Sequence, residues 1–399
     1  MSGIKALVKP ELLLWAREHA EVRLEDAAKA ANVTVERLKQ WESGKDAPTV
    51  AQLRTLAKKY RFALAVFYLS EPPMDFKPLR DFRRLPSLEE GTISPNLAFH
   101  IRNAHERQEL ALELNSDLRS QLHVFTLRAA LKDDPEIVGQ AIRDFLKIDD
   151  DSQKKAARAN RAFDFWRRKM EERDLLVFVV GGPHRRVDLT EMRGFAIAKA
   201  ELPVVVVNGR DHSQGGKAFT LLHELTHIIL GESAISNGAT EELNITAEEQ
   251  RIERFCDAVA AAALMPRNLL LSFPAVKSSE PREWSVDDLR TISHSIGVSR
   301  HALLLRLVTL GRATWDYYKI QRARFEEENR KAAAAREEKK PIAIKRPILL
   351  MNWNGRRYTR LVFRSYYDQR ITLNDVSSYL DAKVKYIPDL ERAAFQVAE

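Results

Sequence analysis

The chain has 399 residues, of which 45% are hydrophobic and 30% charged, and its formal net charge is +8. This length predicts two or three domains, and the composition fits a helix-rich globular protein rather than a fibrous or disordered one. No apolar run approaches the ~20 residues of a membrane span, and no signal-peptide core develops near Met1, so we expect a cytoplasmic protein. The single cysteine, Cys256, excludes an internal disulfide framework, and the basic charge is compatible with a nucleic-acid partner.

Residues 10 to 70 predict five short helices in quick succession, a compact module of DNA-binding size. The third helix, in "TVERLKQWESG", has Thr34 as a candidate N-cap and ends at Gly44. In "LEDAAKAANVTVERLKQWESG", a small Ala28, a turn near Asn32 and an inward-facing Trp41 have the spacing of a helix-turn-helix.

Strand signals appear only after a long helical stretch. The β-branched runs "LLVFVVGG", "RGFAIAKA" and "PVVVVNG" precede an apolar helix, and helices return from about residue 247. The sequence therefore predicts an α+β, mostly helical fold with a small sheet backed by that apolar helix. We expect four regions: a helix-turn-helix domain at 1–73, a helical linker at 74–172, a zincin-like core at 173–275 and C-terminal helices at 276–399.

The apolar helix "AFTLLHELTHIILGE" has three ionisable residues in its middle. His223 and His227 are four residues apart and so lie on one helical face, which is the H-E-x-x-H arrangement of zinc sites. Glu224, between them, lies close enough to take a proton from a water at the metal. The alternative is that both histidines are core residues bonded to backbone groups.

A catalytic zinc needs a third protein ligand, and candidates lie in "EEQRIERFCDAV". Glu253 and Asp257 are four apart on one helix, so one can reach the metal while the other accepts the second N–H of a ligating histidine. Glu248 and Glu249 lie near the helix start, where acidic residues often serve only the helix dipole. Cys256 could be a soft ligand, although core packing is the commoner role of such a thiol.

A metal site of this kind predicts amide hydrolysis with Glu224 as general base. The strand "PVVVVNG" could align an extended peptide substrate if it were an edge strand. Four successive valines equally fit a central strand of the core.

The N-terminal module resembles the XRE (lambda-repressor-like) family, whose pattern ends in a "WE.G" like residues 41 to 44. The resemblance implies DNA contacts from the start of the third helix, and we map them onto Thr34, Val35, Arg37, Lys39 and Gln40. Glu36 departs from this pattern because a carboxylate near phosphates is repelled unless it reads a cytosine. The alternative is a fold retained as a protein-docking surface.

The paired motifs "FTLLHELTHIILGE" and "ERFCDAVAAAALMP" resemble the ImmA/IrrE family of metallo-endopeptidases, including members with an XRE domain in front. The resemblance covers residues 175 to 275 and implies that Glu253 is the third zinc ligand. Family members often have asparagine where Asp257 stands, which would keep an acceptor there. Members known as proteases cleave helix-turn-helix repressors and switch on stress-response or mobile-element genes.

Our leading hypothesis is a zinc endopeptidase fused to a DNA-binding domain, which cleaves a helix-turn-helix repressor or an antitoxin-like protein. Zinc is favoured, with Mn²⁺ or another divalent ion as the alternative at a His₂Glu site. The rival hypothesis is a transcriptional regulator whose zinc-fold domain senses a ligand or is structural. A toxin–antitoxin component is a third hypothesis, and a homodimer is compatible with each of them.

Overall fold

The computed structural model describes residues 5–62, 64–69, 71–72, 80–81, 93–118, 122–182, 185–232, 234–236, 246–277, 280–337 and 344–396. These residues form two compact units. The first takes the described residues within Met1–Pro78, Pro86–Glu106 and Arg185–Val187, and the second takes the remainder. The segment "MDFKPLRDFRRLPS", with which the expected helical linker at 74–172 begins, lies outside the described residues except for Arg80 and Asp81.

The first unit is built on four short α-helices, followed by a 3-10 helix at Leu64–Tyr68. The α-helices are α1 (Pro10–His19), α2 (Leu24–Ala30), α3 (Val35–Glu42) and α4 (Val50–Tyr60). Between α2 and α3 the chain turns at Asn32, whose φ of 54° lies in the left-handed region that asparagine tolerates. Leu38 and Trp41 are buried in the core of this unit, so α3 exposes its opposite side.

Helix α5 (Pro95–Asp117) contributes its first residues to the first unit and its last residues to the second. The remaining helices belong to the second unit. They are α6 (Pro135–Leu146), α7 (Asp150–Arg158), α8 (Ala162–Glu171), α9 (Gln214–Ile229), α10 (Ala247–Leu264), α11 (Arg267–Leu271), α12 (Val286–Ile296), α13 (Arg300–Thr309), α14 (Trp315–Glu337), α15 (Arg346–Asn354), α16 (Arg356–Tyr367), α17 (Leu373–Tyr379) and α18 (Ile387–Phe395).

The second unit contains a five-stranded sheet in the order β1-β5-β3-β4-β2. Its strands are β1 (Arg80–Asp81), β2 (Leu176–Val180), β3 (Gly194–Ile197), β4 (Val204–Asn208) and β5 (Ala234–Ser236). Strand β4 pairs in parallel with β2 and antiparallel with β3. The strand "PVVVVNG" is therefore interior, and the hypothesis that its edge aligns a substrate is wrong because both of its edges are already hydrogen-bonded.

Both faces of this sheet are covered by helices. On one face, Val177 and Val179 of β2 and Val205 of β4 join the core that contains the apolar side of α9. On the other face, Phe178 packs edge to face against Tyr358 of α16, with ring centroids 5.5 Å apart. Burial on both faces explains why these strands are continuous apolar runs rather than alternating ones.

Helix α10 is held at both ends by polar contacts. At its start, the Thr246 side chain accepts the Glu249 N–H at 3.2 Å, and the Glu249 carboxylate accepts the Thr246 N–H at 2.8 Å. Near its end, the buried guanidinium of Arg143 donates to the carbonyl of Ala263 at 2.9 Å and to Gln153 at 2.6 Å. These contacts fix the axial position of α10 against α6 and α7.

These observations confirm the α+β, mostly helical fold with an N-terminal helix-turn-helix bundle and C-terminal helices. The division into four regions stays a prediction. Among the residues that the structure describes, no helix is both long and apolar enough to span a membrane.

Replacing Arg143 with methionine should destabilise the second unit by about 3 kcal/mol, because buried acceptors would lose their donor. Urea unfolding followed by circular dichroism measures this loss. The matched control is Arg158→Met, at an exposed position of α7, where we expect a change within about 0.5 kcal/mol. Equal losses in the two variants would contradict the role given to the Arg143 contacts.

Candidate metal centre

Helix α9 places two imidazoles and a carboxylate in the interior of the second unit. The residue before the helix, Ser213, is its N-cap, and the Ser213 side chain accepts the Gly216 N–H at 3.0 Å. From Thr220 onward every residue of α9 is buried, including His223, Glu224 and His227. Such burial is costly for ionisable groups unless a partner of opposite charge or a metal satisfies them.

The two histidines of α9 present the same ring nitrogen to each other. The Nε2 atoms of His223 and His227 are 3.1 Å apart, as expected for side chains one helical turn apart. Helix α10 brings Glu253 to the same point, with Oε2 3.4 Å from Nε2 of His223 and Oε1 3.2 Å from Nε2 of His227. The ligand atoms of these three residues all lie within 4.8 Å of one another.

Asp257, one turn after Glu253, contacts the outer nitrogen of His223. Its Oδ1 lies 2.9 Å from Nδ1 of that imidazole. A carboxylate only accepts hydrogen bonds, so Nδ1 is the protonated nitrogen and Nε2 faces the cluster. This is the arrangement by which a carboxylate orients a metal-binding histidine.

The cluster of His223, His227 and Glu253 brings groups of opposite charge together in the buried interior. Burial disfavours a charge on His223, but the carboxylates of Glu253 and Asp257 raise its pKa well above the usual value. Burial lowers the pKa of His227, and the neighbouring His223 lowers it further. Burial opposes ionisation of Glu253, yet the two histidines hold its pKa below the ordinary range. The two carboxylates therefore favour a positive charge on His223, whereas His227 favours its neutral form.

The donor set fits a divalent metal ion. Two imidazole nitrogens and one carboxylate oxygen form the His₂Glu set found in catalytic zinc sites, and other divalent first-row metals accept the same donors. A divalent cation would supply the positive charge that Glu253 faces, and it would let both imidazoles stay neutral.

The structure places the other candidates elsewhere. Glu248 is exposed and Glu249 caps α10. Cys256 is fully buried, packs with Ala234 and Ile252, and is not one of the three residues whose ligand atoms converge. Burial raises the pKa of this thiol well above its usual value, which suits a packing role. Among the remaining histidines, His212 and His294 are exposed, and His184 lies outside the described residues.

Two residues beside the cluster were not predicted from the sequence. Phe219 lies one helical turn before His223, and the two ring centroids are 6.4 Å apart. Its spacing of four residues from the first histidine was the available signal. Gly194 of β3 lies against Glu224, and nothing in its sequence neighbourhood indicates that contact.

Helix α3 of the first unit carries the residues mapped onto DNA contacts. Thr34 is exposed and caps the helix by accepting the Arg37 N–H at 3.3 Å. Lys39 and Gln40 are also exposed, whereas Val35 is half-buried and packs partly against the core of the unit. The structure thus places four of the five side chains on the outer surface.

The positive charge of that surface is partly neutralised. Nε of Arg37 lies 3.5 Å from the carboxylate of Asp46, and its guanidinium lies over the Trp41 ring, 6.0 Å from the centroid. Glu36 is exposed on the same helix. Lys39, which is exposed, adds a second basic side chain to this surface.

Comparison with known protein families finds two matching regions. The family described as IrrE N-terminal-like domain matches residues 184–308, which include α9 and α10, and the family described as Helix-turn-helix matches residues 13–67. No curated protein and no solved structure matches the chain. The two matches confirm the resemblance inferred from the motifs. The chain therefore joins a region similar to helix-turn-helix domains to a region similar to the IrrE N-terminal-like domain, in the order that the motifs indicate.

Proposed function

We propose that this protein is a zinc-dependent endopeptidase fused to a DNA-binding domain. The observation that carries the proposal is the convergence of His223, His227 and Glu253 beside Glu224 in a buried helix pair. Three protein ligands are the number typical of catalytic zinc sites, whereas structural sites usually have four. Among the described residues only these three ligand atoms converge, which favours the catalytic hypothesis over a structural zinc.

His223, His227 and Glu253 would hold the metal, and Asp257 would keep His223 in the required tautomer. When bound, the metal supplies Lewis acidity, which lowers the pKa of a coordinated water and polarises a peptide carbonyl. The burial of His223, His227 and Glu253 strengthens these electrostatic effects because the local dielectric is low.

Glu224 is the general base in this mechanism. Its carboxylate accepts a proton from the attacking water and then delivers a proton to the leaving amine, so that the peptide bond is hydrolysed. Glu224 is the residue next to His223, and its backbone is fixed by the same helix that fixes both imidazoles. The carboxylate is therefore preorganised relative to the metal ligands.

The proposed substrate class rests on the resemblance to the ImmA/IrrE metallo-endopeptidases. We propose that the substrate is a helix-turn-helix repressor or an antitoxin-like protein, and that its cleavage derepresses genes. If both proteins bind the same DNA, tethering raises the effective concentration of protease near its substrate. Under this proposal the helix-turn-helix domain binds the DNA, and the IrrE-like domain hydrolyses the peptide bond.

Replacing Asp257 with alanine should lower zinc affinity by about 10–100-fold, because His223 would lose the acceptor that orients it. Competition with a chromogenic chelator measures the affinity. Asp257→Asn keeps an acceptor and should lose less, and Glu248→Ala, at an exposed position of the same helix, should bind zinc like the parent protein. Parent-like affinity in Asp257→Ala would count against the orienting role.

Replacing Glu224 with glutamine should lower cleavage by about 10²–10⁴-fold while zinc content stays at one ion per chain, because the amide cannot take up the proton. The assay incubates the purified full chain with helix-turn-helix repressors encoded beside its gene, and mass spectrometry maps the products. Parent protein treated with chelator and then reloaded with zinc is the control. The endopeptidase proposal fails if parent and variant cleave a repressor equally.

We also propose that the exposed side of α3 binds DNA. Lys39→Ala should weaken binding to operator DNA and reduce the slope of log affinity against log salt by about one, because one phosphate contact is lost. Fluorescence anisotropy at several salt concentrations measures the slope. Lys319→Ala removes the same charge from an exposed site of the second unit and should leave the slope unchanged. If neither protein binds DNA at low salt, the protein-docking alternative is favoured.

A further inference from the structure

Gly194 begins β3 in the interior of the sheet. It is buried, and it is paired with Val207 of β4 on one side and Ser236 of β5 on the other. Its backbone does not have the positive φ that demands glycine. Since glycine weakens a strand interior, its presence here points to the close approach of another group.

That group is the side chain of Glu224. A Cβ atom at position 194 would lie 2.7 Å from Oε1 of Glu224 and 2.9 Å from its Cγ. It would also lie 2.7 Å from Cγ2 of Thr220, one helical turn earlier in α9. Real Cβ atoms do not approach other atoms this closely, so any side chain larger than hydrogen would force α9 or Glu224 to move.

We propose that Gly194 is a positioning residue for Glu224: the missing side chain in β3 leaves the space in which the Glu224 carboxylate rests. The catalytic part of this inference rests on the proposed function, but the contact itself does not. The carboxylate lies against strand backbone, and a side chain at position 194 would push it out of that place.

Two neighbours could make the glycine necessary, and they have different consequences. If Thr220 is the critical neighbour, the glycine only lets α9 pack on the sheet. If Glu224 is critical, the glycine sets the place of the carboxylate itself. Replacing Thr220 with serine removes Cγ2 and leaves both of the close approaches to Glu224.

The test measures thermal unfolding of the zinc-loaded full chain in six proteins. The three parents are Thr220→Ser alone, Thr220→Ser with Glu224→Gln, and Thr220→Ser with Glu224→Ala, and each is made with and without Gly194→Ala. Glutamine has the shape of glutamate, so Gly194→Ala should lower Tm by about 3 °C or more in the first two parents. In the Glu224→Ala parent the contact is gone, and the drop should be under about 1 °C.

A drop of equal size in all three parents would overturn the proposal, because the glycine would then serve a neighbour other than Glu224. The absence of a drop in every parent would also overturn it, because the site would then accept a side chain. Neither outcome depends on proteolysis, so this comparison stands even if no repressor is cleaved.

Turnover and zinc affinity add a second readout in the Thr220→Ser parent. Gly194→Ala should lower repressor cleavage by about 10²-fold through misplacement of Glu224, with zinc affinity within about twofold. A parallel fall in zinc affinity would contradict the proposal, because the whole of α9 would have moved. If the unsubstituted chain cleaves no repressor, the proposed function fails, and the unfolding measurements alone decide the role of Gly194.

Discussion

The structure depends on a local conflict: two imidazole Nε2 atoms lie 3.1 Å apart in a buried place and face the same carboxylate. A proton shared between the two nitrogens, or a cation beside them, stabilises such a close pair facing Glu253. The fold maintains this conflict because α9 is packed on the sheet and α10 is packed on α6. Under the proposed function, a divalent cation would resolve it and turn a costly arrangement into a stabilising one.

Three hydrogen bonds from other helices hold the end of α10 in place. The Arg143 guanidinium binds the carbonyl of Ala263, and Gln153 donates to the carbonyl of Leu264 at 2.8 Å. Arg306 adds a bond of 3.0 Å to the carbonyl of Met265. Three buried side chains thus donate hydrogen bonds to backbone carbonyls at the end of α10, the helix that carries Glu253. Precision at the metal centre is therefore set by contacts with residues distant in the sequence.

The sequence could predict which side chains converge at the candidate centre because that information is local. The spacing of His223 and His227 on a helix, and of Glu253 and Asp257 on the next, fixes which side chains share a face. The sequence left open which carboxylate approaches the imidazoles, and long-range packing decides it. Pairing of β1 and β5 with the sheet was not predicted, since strands of two or three residues carry little pattern. Gly194 was missed because its role depends on a contact across 30 positions of sequence rather than on its neighbours.

The most direct test of the central claim is X-ray absorption spectroscopy at the zinc edge of the purified, zinc-loaded protein. The account predicts nitrogen and oxygen neighbours at about 2.0–2.2 Å, with the multiple-scattering pattern of two imidazoles. Loss of one imidazole from that pattern in His227→Ala would complete the assignment. A sulfur neighbour at about 2.3 Å would contradict the account, because Cys256 would then be a ligand. A spectrum without imidazole would contradict it as well.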